Sequence, residues 1–177
     1  MNSSALASLL LIGLSALHAE IPARPTYLRL QVLLDRAHFS PGEIDGVAGE
    51  NTRTALRVFR AVHRLRETAD FAPQTLRALE GKEPVPTLVP YTVTEEDVRG
   101  PFVTIPNEMM DQANLPALGY QSALEALSEK FHINPMLLTR LNPGKDVSTA
   151  GVEIQVPNIS DQPPPKAAKI VVSKSKL

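Results

Sequence analysis

The chain has 177 residues, 43% of them hydrophobic, with 16 Pro, no Cys and a formal net charge of −1. That length holds one ordinary domain or two small ones, and the missing Cys excludes disulfides, zinc-thiolate and iron–sulfur sites and any thiol nucleophile within the chain. A balance of 18 basic against 19 acidic residues argues against a nucleic-acid partner, which calls for a basic surplus to displace phosphate counterions.

Met1 to Ala19 contains no Lys, Arg, Asp or Glu, and Ala5 to Leu17 is an apolar block broken only by Ser and Gly. Residues 1–19 read as a secretory signal peptide, which predicts export across the inner membrane to the periplasm or cell envelope. The apolar run is about two-thirds of the ~20 residues a membrane span needs, so no stable span is expected. A buried helix at the start of a domain is the competing reading, and it calls for a polar face that residues 5–17 lack.

Beyond the leader the charge separates by segment: +2 over residues 20–82, −6 over 83–160 and +3 over 161–177. The boundaries coincide with proline clusters, Pro84, Pro86 and Pro90 at the first and Pro163 to Pro165 at the second. Such runs favour extended polyproline II connections. Two small modules in series are expected: a helical one over 20–82 and, after a Pro-rich linker at 83–90, a second over 91–160. A Pro/Lys linker and tail follow at 161–177.

In the first module Leu30, Leu33, Leu34 and Ala37 recur at i, i+3, i+4 and i+7, one apolar stripe of a helix. A second helix follows Gly49, with Ala55, Phe59 and Val62 on one face and Arg53, Arg57, Arg60 and Arg64 distributed over the others. A third starts at Pro73, a favoured first helical residue, and ends before Gly81, a favoured stop. Between the first two lies Gly42-Glu43-Ile44-Asp45-Gly46-Val47-Ala48-Gly49, a loop rich in turn-forming glycine. The register Gly49-x-x-Thr52-x-x-Ala55-Leu56 returns 23 residues later as Ala72-x-x-Thr75-x-x-Ala78-Leu79, which points to an internal duplication.

Leu30-Gln31 followed by Gly42-x-Ile44-Asp45-Gly46-x-x-Gly49-x-x-Thr52-x-x-Ala55-Leu56-x-x-Phe59 resembles the peptidoglycan-binding domain 1 family, a three-helix module of bacterial wall proteins. The resemblance covers about Leu28 to Leu79. Ala48 stands where the family usually has a bulky residue, and Arg60 where Gln is common. The resemblance implies that peptidoglycan, through its glycan strands or stem peptides, is the partner, with Asp45, Gly46, Gly49, Thr52, Arg53, Phe59 and Arg60 as candidate contacts.

The second module opens on the β-prone Tyr91-Thr92-Val93 and closes on Val152-Glu153-Ile154-Gln155-Val156-Pro157, whose strict alternation marks a half-buried strand. Two helices are expected between them. Ser122 to Glu125 is a capping box ahead of the first, and Asn134-Pro135 supplies an N-cap and first residue for the second. This strand–helix–helix–strand order, with Leu141-Asn142-Pro143 before the last strand, resembles the LysM domain, which implies contact with N-acetylglucosamine-containing glycans through Tyr120, Asn142 and Pro143. Thr94 to Gln121 stands as an insertion relative to that family. The fold expected overall is mainly α with a small α+β module: a three-helix domain followed by a βααβ LysM-like domain.

The tail carries Ile170-Val171-Val172 and an alternating Lys run, which reads as an unpaired first strand or as a basic tail. In this order the modules resemble the amino-terminal part of YkuD-type L,D-transpeptidases. That family's His-Gly-Cys motif does not occur in the chain, so no catalytic residue and no cofactor is expected, and enzyme activity is left open for a longer protein. The four histidines show no i, i+4 pair, so no metal site is expected. Asp45 fits a turn-former or a ligand contact, Phe59 fits the core or a sugar-stacking face, and the Arg stripe fits a solvated surface or a carboxylate-binding one. Glu95-Glu96-Asp97 fits a solvated acidic face.

The expected function is a secreted peptidoglycan-binding or targeting protein, non-catalytic in this chain. The alternative is the amino-terminal portion of an L,D-transpeptidase, partnered by a catalytic domain in cis. Recruitment of wall enzymes in trans through residues 94–121 is a third option.

Overall fold

The computed structural model describes residues 26–66, 70, 72–81, 85–160, 162–163, 166 and 168–169. The leader at 1–19 and the strand expected at 170–172 lie outside the described residues. In chain order the elements are α1 Tyr27–Arg36, α2 Glu50–Val62, α3 Pro73–Glu80, β1 Leu88–Thr92, α4 Glu95–Arg99, α5 Met109–Gln112, α6 Ala123–Lys130, α7 Pro135–Leu141 and β2 Glu153–Pro157. The protein is mostly helical, with one small antiparallel sheet of two strands.

The helix ends follow their capping chemistry. The Thr26 hydroxyl accepts from the Arg29 amide at 3.2 Å and starts α1, and α3 begins on Pro73 and stops at Gly81, whose φ of +69° is open to glycine. Asn134 accepts from the Met136 and Leu137 amides and starts α7. The box expected at Ser122 is half made: Ser122 accepts from the Glu125 amide, but the Glu125 carboxylate takes the amide of Gln121, one residue further upstream. A complete box forms elsewhere, in the segment expected to be a plain solvated acidic face. Thr94 and Asp97 exchange side-chain and backbone bonds, and Glu95, Glu96 and Asp97 become the acidic first turn of α4, where negative charge meets the positive helix end.

Two apolar clusters organise the molecule. In one, Leu30 and Leu34 of α1 pack on Ala55, Leu56 and Phe59 of α2, with Phe39, Leu76 and Leu79 against them; Phe39 meets Phe59 edge-on at 5.2 Å between ring centres. In the other, Val32 of the same helix and Ile44 of the following loop join Val93, Leu127, Ile133, Leu138, Ile154 and Val156. The single stripe read from Leu30, Leu33, Leu34 and Ala37 is therefore incomplete, because Leu30 to Leu34 is buried without a break. A helix apolar on both sides belongs between two cores. Withdrawing Val32 and Ile44 from water stabilises the contact by roughly 1.5–3 kcal/mol each.

Polar contacts fix the same seam. Ile44 forms a parallel bridge to Ile133: its amide donates to the His132 carbonyl at 2.8 Å, and its carbonyl accepts from the Asn134 amide at 3.0 Å. Arg36 donates to both the carbonyl and the side chain of Asn158. Arg29 pairs with Glu80 at 2.8 Å and also donates to the Val85 carbonyl and the Thr87 hydroxyl, so part of the proline-rich connection is held against α1.

Strand β1 begins at Leu88, three residues before the expected Tyr91, and includes Pro90, opposite Gln155. The Val93 amide donates to the Val152 carbonyl and the Asn158 amide to the Thr87 carbonyl. The odd-numbered residues of β1 thus turn their backbone groups toward β2, and Pro90 faces the outer edge, where its missing N–H interrupts no ladder bond.

Candidate functional site

The loop between α1 and α2 is shaped from beneath by one side chain. Gln31 is 1% exposed. Its Nε2 donates to Asp45 Oδ1 at 2.8 Å, to Thr52 Oγ1 at 3.1 Å and to the Val47 carbonyl at 3.2 Å, while its Oε1 accepts from the Gly46 amide at 2.8 Å. Asp45 Oδ1 also accepts from the Val47 amide, the local turn bond for which Asp before Gly is suited. Gly42 and Gly46 have φ of +78° and +77°, and a Cβ on Gly42 would lie 2.9 Å from Asn51 Nδ2. These bonds and turns shape the loop, with Val47 59% exposed.

The expected contacts divide into two groups. Thr52, Phe59 and Arg60 are buried: Thr52 receives Gln31, Phe59 sits in the core rather than on a sugar-facing surface, and Arg60 Nε donates to Thr75 Oγ1 at 3.2 Å. The duplicated threonines thus do the same work, since Thr52 and Thr75 are both buried and each receives a donor from the preceding helix. Asp45, Gly46, Gly49 and Arg53 lie nearer the surface. Gly49 is the N-cap of α2 without a side-chain cap bond. Arg53 is exposed and has no ion pair among the described residues, and Asp45 accepts both the Gln31 and Val47 bonds on Oδ1. Beside them Tyr27 donates its hydroxyl to Asp70 at 2.7 Å. That bond needs the phenol proton and raises the Tyr27 pKa, joined by burial and the Asp70 charge and opposed by the charge of Arg53.

This loop, pinned between two helices and followed by a third, occupies the part of the chain that a known family describes. Residues 24–79 match the model of a family described as a putative peptidoglycan binding domain. No curated protein matches the chain. The matched segment contains Gln31, the Asp45-Gly46 turn and both buried threonines, and so includes the hydrogen-bonded frame of the loop.

In the second half, Asn142 is 2% exposed. Its Nδ2 donates to the Leu138 and Gln155 carbonyls and its Oδ1 accepts from the Gln155 amide; it closes the outer edge of β2 rather than presenting itself to a glycan. Pro143 is exposed beside it and Tyr120 is 45% exposed. Sequence reasoning missed the network around Asp97, which accepts from Tyr91 at 2.5 Å, from Thr94 and from Lys130 at 2.7 Å, with Lys130 Nζ 4.7 Å over the Tyr91 ring. Burial works against the Asp97 charge, but the bonds from Lys130, Tyr91 and Thr94 outweigh it and lower its pKa to about 2. The pattern Thr94-x-x-Asp97 was the available clue.

The seam between the two halves holds two adjoining clefts that the sequence did not announce. One, of about 410 Å³, is lined by Glu43, Glu125, Ser128, Glu129 and His132. The other, of about 390 Å³, continues past Gly42 and His132 to Asp35, His38 and Ser160. His132 Nδ1 lies 2.8 Å from Asp35 Oδ2. Neither is lined by Asp45, Gly46, Arg53 or Tyr120. Among the described residues no group of three or more His, Asp or Glu is placed to hold a metal ion, and no helix is long and apolar enough to cross a membrane.

Proposed function

We propose that this chain binds peptidoglycan in the cell envelope, through the face formed by the Asp45–Val47 turn and the first half of α2. The observation that carries the reading is the contrast within the matched segment: Gln31 fixes the turn from inside, while Arg53 stands exposed on the first turn of α2, without an ion pair among the described residues. A forked guanidinium in that position suits a stem-peptide carboxylate, held by paired charge-assisted bonds. Val47 supplies an apolar contact alongside, and Asp45 Oδ2 remains to accept from an amide or hydroxyl.

The unit over 88–157, in which the short helices α4 and α5 precede the expected pair α6 and α7 between the two strands, is read as LysM-like and as assisting, with Tyr120 and Pro143 offering its exposed contacts. Tandem weak contacts gain strength where the ligand is as dense as in a wall. Export to the periplasm or envelope belongs to the same reading and rests on the character of residues 1–19. Co-sedimentation with purified sacculi is the test. The protein pellets with sacculi above the level of a soluble control and is released by muropeptides that carry stem peptides; equal pelleting with and without sacculi overturns the reading.

A further inference from the structure

The segment 100–121 stands outside both cores. No residue from Thr94 to Ser122 is buried, and neither apolar cluster draws a member from 100–121. The loop nevertheless has a defined shape. Its neck is closed by the Val103 amide donating to the Tyr120 carbonyl at 2.9 Å, and Gln112 Nε2 donates to the Pro106 carbonyl at 2.8 Å, tying α5 back against the segment that leads into it. A compact loop with joined ends and no core contribution is a common carrier of recognition.

Its surface is apolar in an unusual degree. Nine large hydrophobic side chains are exposed among the described residues, and five of them fall here: Phe102, Met109, Met110, Leu118 and Tyr120, with Met109 81% and Met110 79% exposed. Apolar side chains so concentrated mark a contact surface, and methionine adapts to irregular partners. The charge along the segment has one sign. Glu108 and Asp111 flank the two methionines, no Lys or Arg occurs between Arg99 and Lys130, and neither carboxylate has an ion pair among the described residues.

We infer that this loop is a docking surface for a partner protein, and that the partner offers an apolar segment flanked by Lys or Arg. The methionine pair and Leu118 take the apolar side chains, and Glu108 and Asp111 take the cations. The charge that favours such a segment also repels an anionic lipid surface.

Fluorescence anisotropy on the full chain tests this with a labelled amphipathic peptide of about 16 residues, Leu at helical spacing and Lys elsewhere, and its counterpart with Glu for Lys. The expected result is saturable binding of the Lys peptide only, weakened by salt and reduced about tenfold by Met109→Ser with Met110→Ser. Leu118→Ser gives an independent reduction in the same direction. Circular dichroism monitors the fold of each variant. Absence of saturable binding, equal binding of the Glu peptide, or equal binding by the variants overturns the inference. So does methionine-dependent binding to phosphatidylglycerol vesicles, or methionine-dependent self-association in sedimentation, which assigns the surface to lipid or to a second copy.

Discussion

Two loops are built in opposite ways. The turn at 42–49 is short, draws Ile44 into the core at 0% exposed, and takes its shape from the buried Gln31 amide. The loop at 100–121 is long, contributes nothing buried, and is closed by a neck bond and one glutamine contact. In the first, side chains serve the fold and leave a few polar tips outward. In the second, the backbone serves the shape and the apolar side chains are left outward. Both arrangements suit recognition, but only the first ties recognition to stability.

The largest test of that contrast uses one residue type in both regions. Phe59→Ala removes a ring that is 1% exposed and lowers stability by about 3–5 kcal/mol, while Phe102→Ala, at 38% exposed, costs under about 1 kcal/mol; urea unfolding of the pair measures both. Gln31→Ala leaves the Thr52 hydroxyl and the Gly46 amide without their partner and costs about 2–3 kcal/mol in the same assay.

Next comes acid. The Asp97 pKa lies at about 2, below its ordinary 3.8, so this carboxylate contributes stability that is complete above pH 4 and is lost as pH falls through 4 toward 2. The amount is about 1–2 kcal/mol after allowance for the exposed part of Lys130, and Asp97→Asn flattens the stability profile across that window. The smallest effect is expected at the tip of the long loop. Met109→Ser with Met110→Ser leaves the unfolding free energy within about 0.5 kcal/mol of the unaltered protein's in urea.

Much of the frame is legible in the sequence. Local chemistry decides a cap, so Pro73, Gly81, Asn134 and Ser122 marked helix ends correctly, and periodicity located α1 and α2. What stayed hidden depends on distant partners. Nothing local in Ile44 says that it bridges Ile133, and nothing in Val32 says that a second core waits on the far side of α1. Arg60 looked like part of a solvated stripe because its acceptor, Thr75, lies 15 residues on. At the candidate site, the motif Asp45-Gly46 was visible, and so was the register of Thr52. That Gln31 joins them, and that Thr52, Phe59, Arg60 and Asn142 point inward, required the packing.

The most direct test of the division between the two loops is quantitative binding to purified sacculi by three forms of the full chain: the unaltered protein, Arg53→Ala, and Met109→Ser with Met110→Ser. The unaltered protein and the methionine variant are predicted to bind alike, with Arg53→Ala weakened about tenfold, as expected for loss of a charge-assisted contact of roughly 1.5 kcal/mol. Full binding by Arg53→Ala, or loss of binding confined to the methionine variant, contradicts the account.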